Sequence, residues 1–317
     1  MRIRAVEEAL AEHLATRSVR AKSLVVTVFG DAIAPHGGTV WLAGLIALLA
    51  PFGINERAVR TTVFRLAAEG WLKGTQVGRR SHYALTDSGR RRFETAFRKI
   101  YGATGGRWDG RWCLVVEAGR PQPPARRRAL HDQLGWSGFG QVAAGLWAHP
   151  TLDESAVAAL LDDLKARGHV VVMHAATDPG QPAAPLEALV RDAWDLDRLE
   201  RDYRAFVARF RPVARALARA PAQSLDPEQC FMVRTLAIHE YRRIMLRDPL
   251  LPPALLPEGW HGASARELCR HLYRITQRET ERHLVATLAT PDGPLPPAAP
   301  YFYERFGGLG SEDRARS

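Results

Sequence analysis

Residues 41–86 constrain the fold of this chain more than any other stretch. The apolar run WLAGLIALLAPFG predicts one helix, and INERAVRTTVFRLAAEG predicts a second that begins after Asn55, a favourable N-cap residue, and ends at Gly70. The segment that follows, WLKGTQVGRRSHYALT, predicts strands at 71–73 and 82–86. Gly74 and Gly78 bracket the turn between these strands. A helix, a turn, a second helix and a hairpin in this order indicate a winged helix-turn-helix, which places its second helix in the major groove of DNA.

The second helix has two unlike faces. Helical spacing predicts that one face is buried, and its members are Val59, Thr62, Val63 and Leu66. The opposite face carries the candidate DNA-reading residues, which are Arg57, Arg60, Thr61 and Phe64. Arginine can bind guanine through two hydrogen bonds, and threonine or phenylalanine can contact phosphate or a thymine methyl group. The alternative is that this face is only the solvated side of an amphipathic helix.

Positive charge is concentrated next to this helix. Arg79 and Arg80 lie at the predicted wing tip, where a wing contacts the phosphate backbone or the minor groove. Asp87 and Ser88 are expected to cap a further helix rich in arginine. Residues 57–107 hold 12 Lys or Arg against 3 acidic residues, so they carry +9 of the net charge of +10. This concentration indicates a polyanionic partner, here double-stranded DNA.

The remaining pattern predicts an α+β chain with three domains and a tail. The winged helix-turn-helix domain covers residues 1–101, with a first helix at 23–34 capped by Ser23. Residues 111–176 alternate short strands and helices in a βαββαβ order, which is typical of a ferredoxin-like domain. Residues 186–290 predict a helical effector and dimerisation domain, and residues 291–317 predict a flexible tail. The predicted helices of the helical domain are 186–217, 226–246 and 264–288.

Several function classes find no support in the sequence. The first residues lack the apolar core of a signal peptide, and the longest apolar run is half a membrane span, so we expect a cytoplasmic protein without a membrane anchor. The cysteines and histidines show no metal-ligand spacing, and we expect no metal, no cofactor and no enzymatic activity. Two alternatives stay open. One is a magnesium nuclease built on the ferredoxin-like domain around Glu117, and the other is a winged helix that serves protein interaction.

Four segments resemble the PaaX-like repressors of bacterial phenylacetate degradation. They are SLVVTVFGDAI, GGTVWLAGLIALLAPFGINERAVRTTVFRLAAEGWL, GRRSHYALTDSG and RTLAIHEYRRIMLRDPLLPPALLPEGWHG, in the order of the family. The resemblance implies a winged helix, a central ferredoxin-like domain of the kind found in CRISPR adaptation nucleases, and a helical C-terminal domain. It also implies a homodimer that binds a palindromic operator of an aromatic catabolic operon. Phenylacetyl-CoA or a related acyl-CoA is then the effector that releases the DNA.

The helix at 226–246 is the candidate site for this effector. An acyl-CoA needs cations for its phosphates and an apolar pocket for its acyl group. Arg234, Arg242 and Arg243 are expected to contact phosphate, and His239 and Tyr241 to border the acyl pocket. The alternative is that these arginines pair with Glu240, Asp248 or Glu267 and stabilise a helix bundle. The aromatic stripe from Trp194 to Phe210 favours core or dimer interface over a cofactor site.

Overall fold

A computed structural model describes residues 1–17, 19–102, 106–119, 122–150, 154–178, 180, 182–221 and 224–309. The chain forms two compact units. The first unit combines Met1–Ala103, Arg204–Leu246 and Ala263–Ser317, and the second combines Thr104–Tyr203 and Arg247–Gly262. The α+β class predicted from the sequence is confirmed. The structure differs from the predicted domain plan in one respect, because the winged region and most of the C-terminal helices belong to the same compact unit.

The first unit begins with two helices, α1 (Arg4–Thr16) and α2 (Ala21–Val28). The predicted cap at Ser23 is wrong, because α2 already begins at Ala21 and Ser23 lies inside it. A π-helical turn, Phe29–Ile33, continues directly from α2. Such wide turns are rare and frequently occur at functional sites. No signal for it is visible in the sequence, which there shows only a continuous apolar pattern.

The winged helix-turn-helix is present in the predicted order. Its elements are β1 (Thr39–Trp41), α3 (Leu42–Leu49), α4 (Glu56–Ala68), β2 (Leu72–Val77), β3 (Arg80–Leu85) and α5 (Asp87–Tyr101). The three strands form an antiparallel sheet in the order β1-β3-β2. The sequence missed β1, whose last residue, Trp41, had been assigned to the apolar helix. It also made the wing strands too short, because β2 runs through Gly74 up to Val77.

Gly74 is a strand residue and does not start the turn. It lies opposite Tyr83 in the β2–β3 pair. A Cβ atom added at Gly74 would lie 3.0 Å from a ring carbon of Tyr83. Glycine is therefore used here to make room for an aromatic ring, and the reversal of the chain takes place at Gly78, whose φ is +59°.

The second unit contains the predicted ferredoxin-like domain. Its elements are β4 (Arg111–Glu117), α6 (Pro124–Trp136), β5 (Gly140–Ala143), β6 (Leu146–His149), α7 (Glu154–Asp163) and β7 (Val170–Ala176). The sheet is antiparallel with the order β5-β6-β4-β7, so the first and third strands of the βαββαβ unit are central. Val115 of β4, Leu134 of α6 and Leu161 of α7 belong to its core.

The described residues of the C-terminal region contain four α-helices. They are α8 (Ala183–Ala193), α9 (Leu196–Ala218), α10 (Pro227–Met245) and α11 (His261–Thr287). The single helix predicted over 186–217 is wrong, because the chain breaks at Asp195, whose φ is +47°. Aspartate tolerates the left-handed region better than most residues, and this permits the break. The aromatic stripe is buried within the chain, as the core interpretation predicts.

The predicted flexible tail is wrong for its described part. After the short hairpin of β8 (Ala289–Thr290) and β9 (Gly293–Pro294), the chain forms a 3₁₀ segment, Pro300–Gly307. Phe302 and Arg305 of this segment are fully buried. Proline-rich composition was taken as a sign of disorder, but here it ends helices and leads side chains into the core. Residues 310–317 of the predicted tail lie outside the described residues.

None of the helices within the described ranges combines the length and the apolar character needed to cross a bilayer.

Candidate functional site

Helix α4 is the element that the sequence predicts to read DNA. The Asn55 side chain accepts a hydrogen bond from the backbone N–H of Ala58 at 2.9 Å, so the helix begins where the cap was expected. The four residues predicted to be buried are buried, and they are Val59, Thr62, Val63 and Leu66. The orientation of the helix is therefore fixed by its apolar side.

The opposite side of α4 faces away from the protein. All four candidate DNA-reading residues, Arg57, Arg60, Thr61 and Phe64, are exposed. Phe64 has 71% of its surface exposed, which is unfavourable for an aromatic ring in water. The Arg60 Nε atom lies 2.7 Å from Glu56 Oε1, one turn earlier on the same helix. This exposed pair contributes little to stability but holds the guanidinium extended along the helix surface. The contact of the four candidate DNA-reading residues with DNA stays a prediction.

The wing carries its two arginines in different surroundings. Arg79 occupies the two-residue turn beside Gly78, and Arg80 is the first residue of β3. Both are exposed, but the guanidinium of Arg80 lies over the Trp41 ring at 4.0 Å from its centroid. The Trp41 ring is in turn held by a hydrogen bond from its Nε1 to the Thr290 carbonyl at 2.9 Å. This cation–π contact was invisible in the sequence, and it orients Arg80 at the tip of the wing, next to the turn.

Helix α5 follows the wing after one residue. Its cap is Thr86, whose hydroxyl accepts from the Gly89 N–H at 2.9 Å, so the predicted cap at Asp87 and Ser88 is displaced by one residue. The helix carries four exposed arginines, Arg90, Arg91, Arg92 and Arg98. The guanidinium of Arg92 lies over the Trp71 ring at 4.9 Å. The positive charge that is concentrated in this part of the sequence thus lies on the surface of the winged helix and of α5.

The five candidate effector residues on α10 do not meet at one place. Arg234 is fully buried, with its Nε 3.1 Å from Asp31 Oδ2 and its Nη1 3.0 Å from Glu281 Oε1. Tyr241 is buried against the rings of Phe206 and Phe306. Arg243 is half exposed and pairs with Glu240 at 3.4 Å, which is one of the pairs that the alternative predicted. An arginine buried between two carboxylates is not available for an effector phosphate, so Arg234 is a structural residue.

Asp31, in the π-helical turn, is the centre of this buried ion cluster. Its Oδ1 accepts hydrogen bonds from the hydroxyl groups of Tyr101 at 2.6 Å and Tyr273 at 3.1 Å. The guanidinium of Arg305 donates to the same oxygen at 3.0 Å and to the Asp31 carbonyl at 3.1 Å. We call these residues, together with Arg234 and Glu281, the Asp31 cluster. It joins the winged helix, α10, α11 and the tail into one unit, and the sequence analysis did not find it.

Glu281 belongs to the cluster as a carboxylate. Burial by itself raises the pKa of Glu281, but hydrogen bonds from His36 and Arg234 and the charge of Arg234 outweigh it and lower the pKa to about 2. His36 Nε2 lies 3.0 Å from Glu281 Oε2. The two buried arginines therefore face two carboxyl groups, Asp31 and Glu281, and such pairing makes buried charges tolerable.

His239 and Arg242 lie together beside α2. His239 Nδ1 lies 3.0 Å from the Thr27 hydroxyl, which itself donates to the Ser23 carbonyl. The hydroxyl has only one proton, so the histidine donates through Nδ1. Arg242 Nη1 lies 3.5 Å from the same hydroxyl, at the limit of a hydrogen bond. His239 and Arg242, two of the five predicted effector residues, thus share a contact with Thr27.

A cavity of about 530 Å³ lies beside Arg242, wholly within the first unit. Its walls come from α2, the π-helical turn, α5, α10 and the segment around Tyr301. Its volume is in the range of about 300–1,000 Å³ that small-molecule sites occupy. No sequence pattern indicates this cavity, because its lining comes from segments that are far apart along the chain.

The burial of His239 predicts a dependence of stability on pH. Burial is the main cause that lowers the pKa of His239 to about 4, from an ordinary value of 6.5. A folded-state pKa below the unfolded value means that the contribution is complete above pH 6.5 and is lost as the pH falls toward 4. Between about pH 7 and about pH 4.5, the free energy of unfolding of the wild type should therefore fall by roughly 2 kcal/mol more than that of His239→Gln.

Urea unfolding at a series of pH values measures this difference. The exposed residue His174 provides the control, because His174→Gln should leave the pH dependence of the wild type unchanged. Equal slopes for wild type and His239→Gln would show that His239 is not held neutral in the folded protein.

Glu117 does not have the environment of a magnesium ligand. Its two carboxylate oxygens are engaged by Arg127 Nε at 2.9 Å and His131 Nε2 at 2.6 Å. Burial raises the pKa of Glu117, but the His131 hydrogen bond and the charges of His131 and Arg127 outweigh it and lower the pKa. Among the described residues, no group of three or more His, Cys, Asp or Glu is placed to share an ion. A divalent cation would have to compete with the Arg127 guanidinium and the His131 imidazole for this carboxylate.

Comparison with known proteins agrees with this geometry. Three family profiles match in order: PaaX-like protein over residues 20–89, the PaaX protein central Cas2-like domain over residues 105–187, and the PaaX-like protein C-terminal domain over residues 194–286. An uncharacterized protein from Mycobacterium tuberculosis has a similar structure, with a TM-score of 0.52 and 26% identity, covering 84% of this chain and 100% of that one.

A curated relative spans nearly the whole chain. The transcriptional repressor PaaX of Escherichia coli strain K12 is 38% identical over 297 residues, which are 94% of this chain and 93% of the relative. A winged helix with an exposed basic face, a ferredoxin-like middle domain and a helical C-terminal region thus occur in the order that one family shares. The chain belongs to the PaaX-like protein family.

Proposed function

We propose that this chain is a transcriptional repressor that binds operator DNA through the outward face of α4 and through the wing. The observation that carries the proposal is the orientation of α4, because its apolar side is buried and Arg57, Arg60, Thr61 and Phe64 point into solvent. This is the arrangement that a helix needs to enter the major groove. The relative in Escherichia coli is named a transcriptional repressor, which supports the same function and a role without catalysis.

The operator is a palindrome, and two copies of the chain bind it as a homodimer. One chain has one winged helix and can read one half-site. A two-fold symmetric pair reads two half-sites on one face of the duplex when their centres are about one helical turn, or a multiple of it, apart. The resemblance to PaaX-like repressors supports this arrangement, and the protein then acts in the cytoplasm without a cofactor.

The effector is an aryl-acyl-CoA such as phenylacetyl-CoA, and the regulated genes degrade an aromatic acid. The effector binds more tightly to a conformation in which the recognition helices of the dimer no longer match the half-site spacing. A coupling of about 1–3 kcal/mol between the two ligands is typical of such regulators, and it acts equally in both directions.

Selection of bound duplexes from a random library, followed by fluorescence anisotropy, tests the proposal. We expect a palindromic sequence to be enriched, to bind two chains per duplex, and to be released by phenylacetyl-CoA but not by free phenylacetate or CoA alone. Enrichment of no sequence would favour the protein-interaction alternative. Cleavage of the duplex in magnesium would favour the nuclease.

The wing makes a separate prediction about salt dependence. Arg79 and Arg80 are expected to contact phosphate, so replacing both by alanine should weaken binding to every duplex and flatten the slope of log K against log salt by up to about two units. The control Arg4→Ala with Arg128→Ala removes the same charge from exposed positions on α1 and α6. An unchanged slope in the wing variant would show that the wing does not contact the phosphate backbone.

A further inference from the structure

We propose that the cavity between α2, α5 and α10 is a binding site for a ligand that joins an aromatic or other apolar group to an anionic group. The assignment of this ligand as the effector rests on the proposed function. The site itself is argued from three observations in the first unit, which are an apolar interior, a half-buried arginine without a carboxylate partner, and a mouth with positive charge.

The interior of the cavity suits a flat apolar group. Phe93 and Phe97 lie one turn apart on α5 and line the cavity from that helix. Val26 lines it from α2, and Ile238 lines it from α10. Gly30 of the π-helical turn also faces the cavity. A Cβ atom at Gly30 would lie 2.8 Å from the Phe93 ring, so the glycine allows this ring to pack against the turn. Aromatic walls favour an aromatic or planar ligand.

Arg242 supplies the charge inside. Its guanidinium has one long contact, at 3.5 Å, to the Thr27 hydroxyl, and no described carboxylate oxygen lies within 4.0 Å of it. Burial is the main cause that lowers the pKa of Arg242. A half-buried cation that has lost water without gaining a counter-ion is unfavourable, and a bound anion would compensate it with charge-assisted hydrogen bonds.

The mouth of the cavity is also positive. Arg90 and Arg98 line it from α5 and are exposed, and Arg90 donates to the Gly37 carbonyl at 3.1 Å. Glu94 lies between them and is the acidic residue of the rim. Asp31, the other acid that touches the cavity, is held by two arginines of the Asp31 cluster. The net field at the mouth therefore favours an anion.

The position of the cavity connects a ligand to the wing. Leu85, the last residue of β3, lines the cavity together with the face of α5 that carries Phe93 and Phe97. A ligand bound in the cavity contacts α5, and Thr86 alone separates α5 from the wing strand. Binding in the cavity and binding of DNA to the wing thus act on the same helix, and this is the physical condition for coupling between the two sites.

The test uses an aromatic anion that is independent of the effector assignment, 1-anilinonaphthalene-8-sulfonate, with the full-length protein. Its fluorescence titration is expected to show saturable binding. The affinity should fall at least about tenfold in Arg242→Gln, which removes the charge, and in Ala96→Leu, which fills the cavity from α5. The matched controls are Arg91→Gln and Thr95→Leu, which lie on α5 outside the lining, and both should stay within about twofold of wild type. Equal affinity of all five proteins would overturn the site.

Displacement of the probe by phenylacetyl-CoA separates the site from the effector. If phenylacetyl-CoA competes with the probe and releases DNA from the wild type but not from Arg242→Gln or Ala96→Leu, the cavity is the effector site. If it releases DNA equally well from these variants, the cavity is not the effector site and our assignment is overturned. If it neither competes nor releases DNA from the wild type, the effector of the proposed function is wrong, while the probe titration still decides the cavity.

Discussion

Replacing Asp31 by alanine should lower the free energy of unfolding by about 3–5 kcal/mol. The substitution removes the carboxylate that faces Arg234 and Arg305, both of which are fully buried. It also leaves the hydroxyl groups of Tyr101 and Tyr273 without their acceptor. Of the two buried arginines, Glu281 pairs with Arg234, so the charge of Arg305 would stay buried with no described carboxylate beside it. An uncompensated buried charge is among the most costly defects that a single substitution can produce.

Urea unfolding measures this loss. Such a loss is a large part of a typical stability of about 5–15 kcal/mol, so Asp31→Asn serves as the second variant. It keeps one acceptor oxygen for the tyrosines, but it removes the charge and replaces the oxygen that faces Arg234 Nε with an amide NH2 group. The control is Asp202→Ala, which removes a carboxylate from the exposed pair with Arg247 and should cost less than about 1 kcal/mol. An Asp31→Ala protein as stable as the control would mean that the cluster does not hold the unit together.

Local patterns account for the parts of the fold that the sequence predicted. Asn55 caps α4, and the buried and exposed faces of α4 follow from the spacing of Val59, Val63 and Leu66. These signals act over a few residues, so they can be read in one sequence. The ferredoxin-like domain could also be predicted from the sequence, because its strands and helices follow one another at short intervals. Their βαββαβ order leaves few possible sheet topologies.

Long-range contacts account for what was missed. Arg305 was assigned to a flexible tail because its neighbours are prolines, glycines and charged residues. It is instead fully buried against Asp31, which is 274 residues earlier in the chain. No local pattern distinguishes an arginine that remains in water from one whose carboxylate partner lies at the other end of the chain. The same holds for the contact of Arg80 with Trp41.

Helix α10 shows why residues that share a helical spacing need not share a pocket. A helical projection places Arg234, Ile238, Tyr241 and Met245 roughly on one stripe, and all four are buried. However, nearly all sides of α10 are covered, and His239 and Glu240 on its other sides are buried as well. Each side of such a helix meets a different neighbour, so shared spacing does not bring side chains into one pocket. Arg242 lines the cavity, whereas Arg234 lies in the Asp31 cluster.

Replacing Arg57 and Arg60 together by alanine should abolish operator selectivity. Both are exposed on the outward face of α4, and each arginine that binds a guanine is worth about 1–3 kcal/mol of discrimination. We expect operator affinity to fall by about 2–6 kcal/mol while affinity for random duplex changes far less, because phosphate contacts through the wing remain. Anisotropy titrations of operator and random duplex at one salt concentration measure the ratio of the two affinities.

The pair between Arg60 and Glu56 gives this prediction a finer test. In the free protein Glu56 holds the Arg60 guanidinium at 2.7 Å, and a base must take the place of this carboxylate or bind beside it. Glu56→Gln removes the charge that competes for Arg60 and one repulsion with phosphate, so it should tighten binding to both duplexes, and to the operator at least as much as to random duplex. Folding should be unaffected in each variant, since an exposed pair one helical turn apart contributes only about 0.3–0.5 kcal/mol. A double-arginine variant that loses affinity equally for operator and random DNA would show that α4 contacts phosphate and that another element reads the bases.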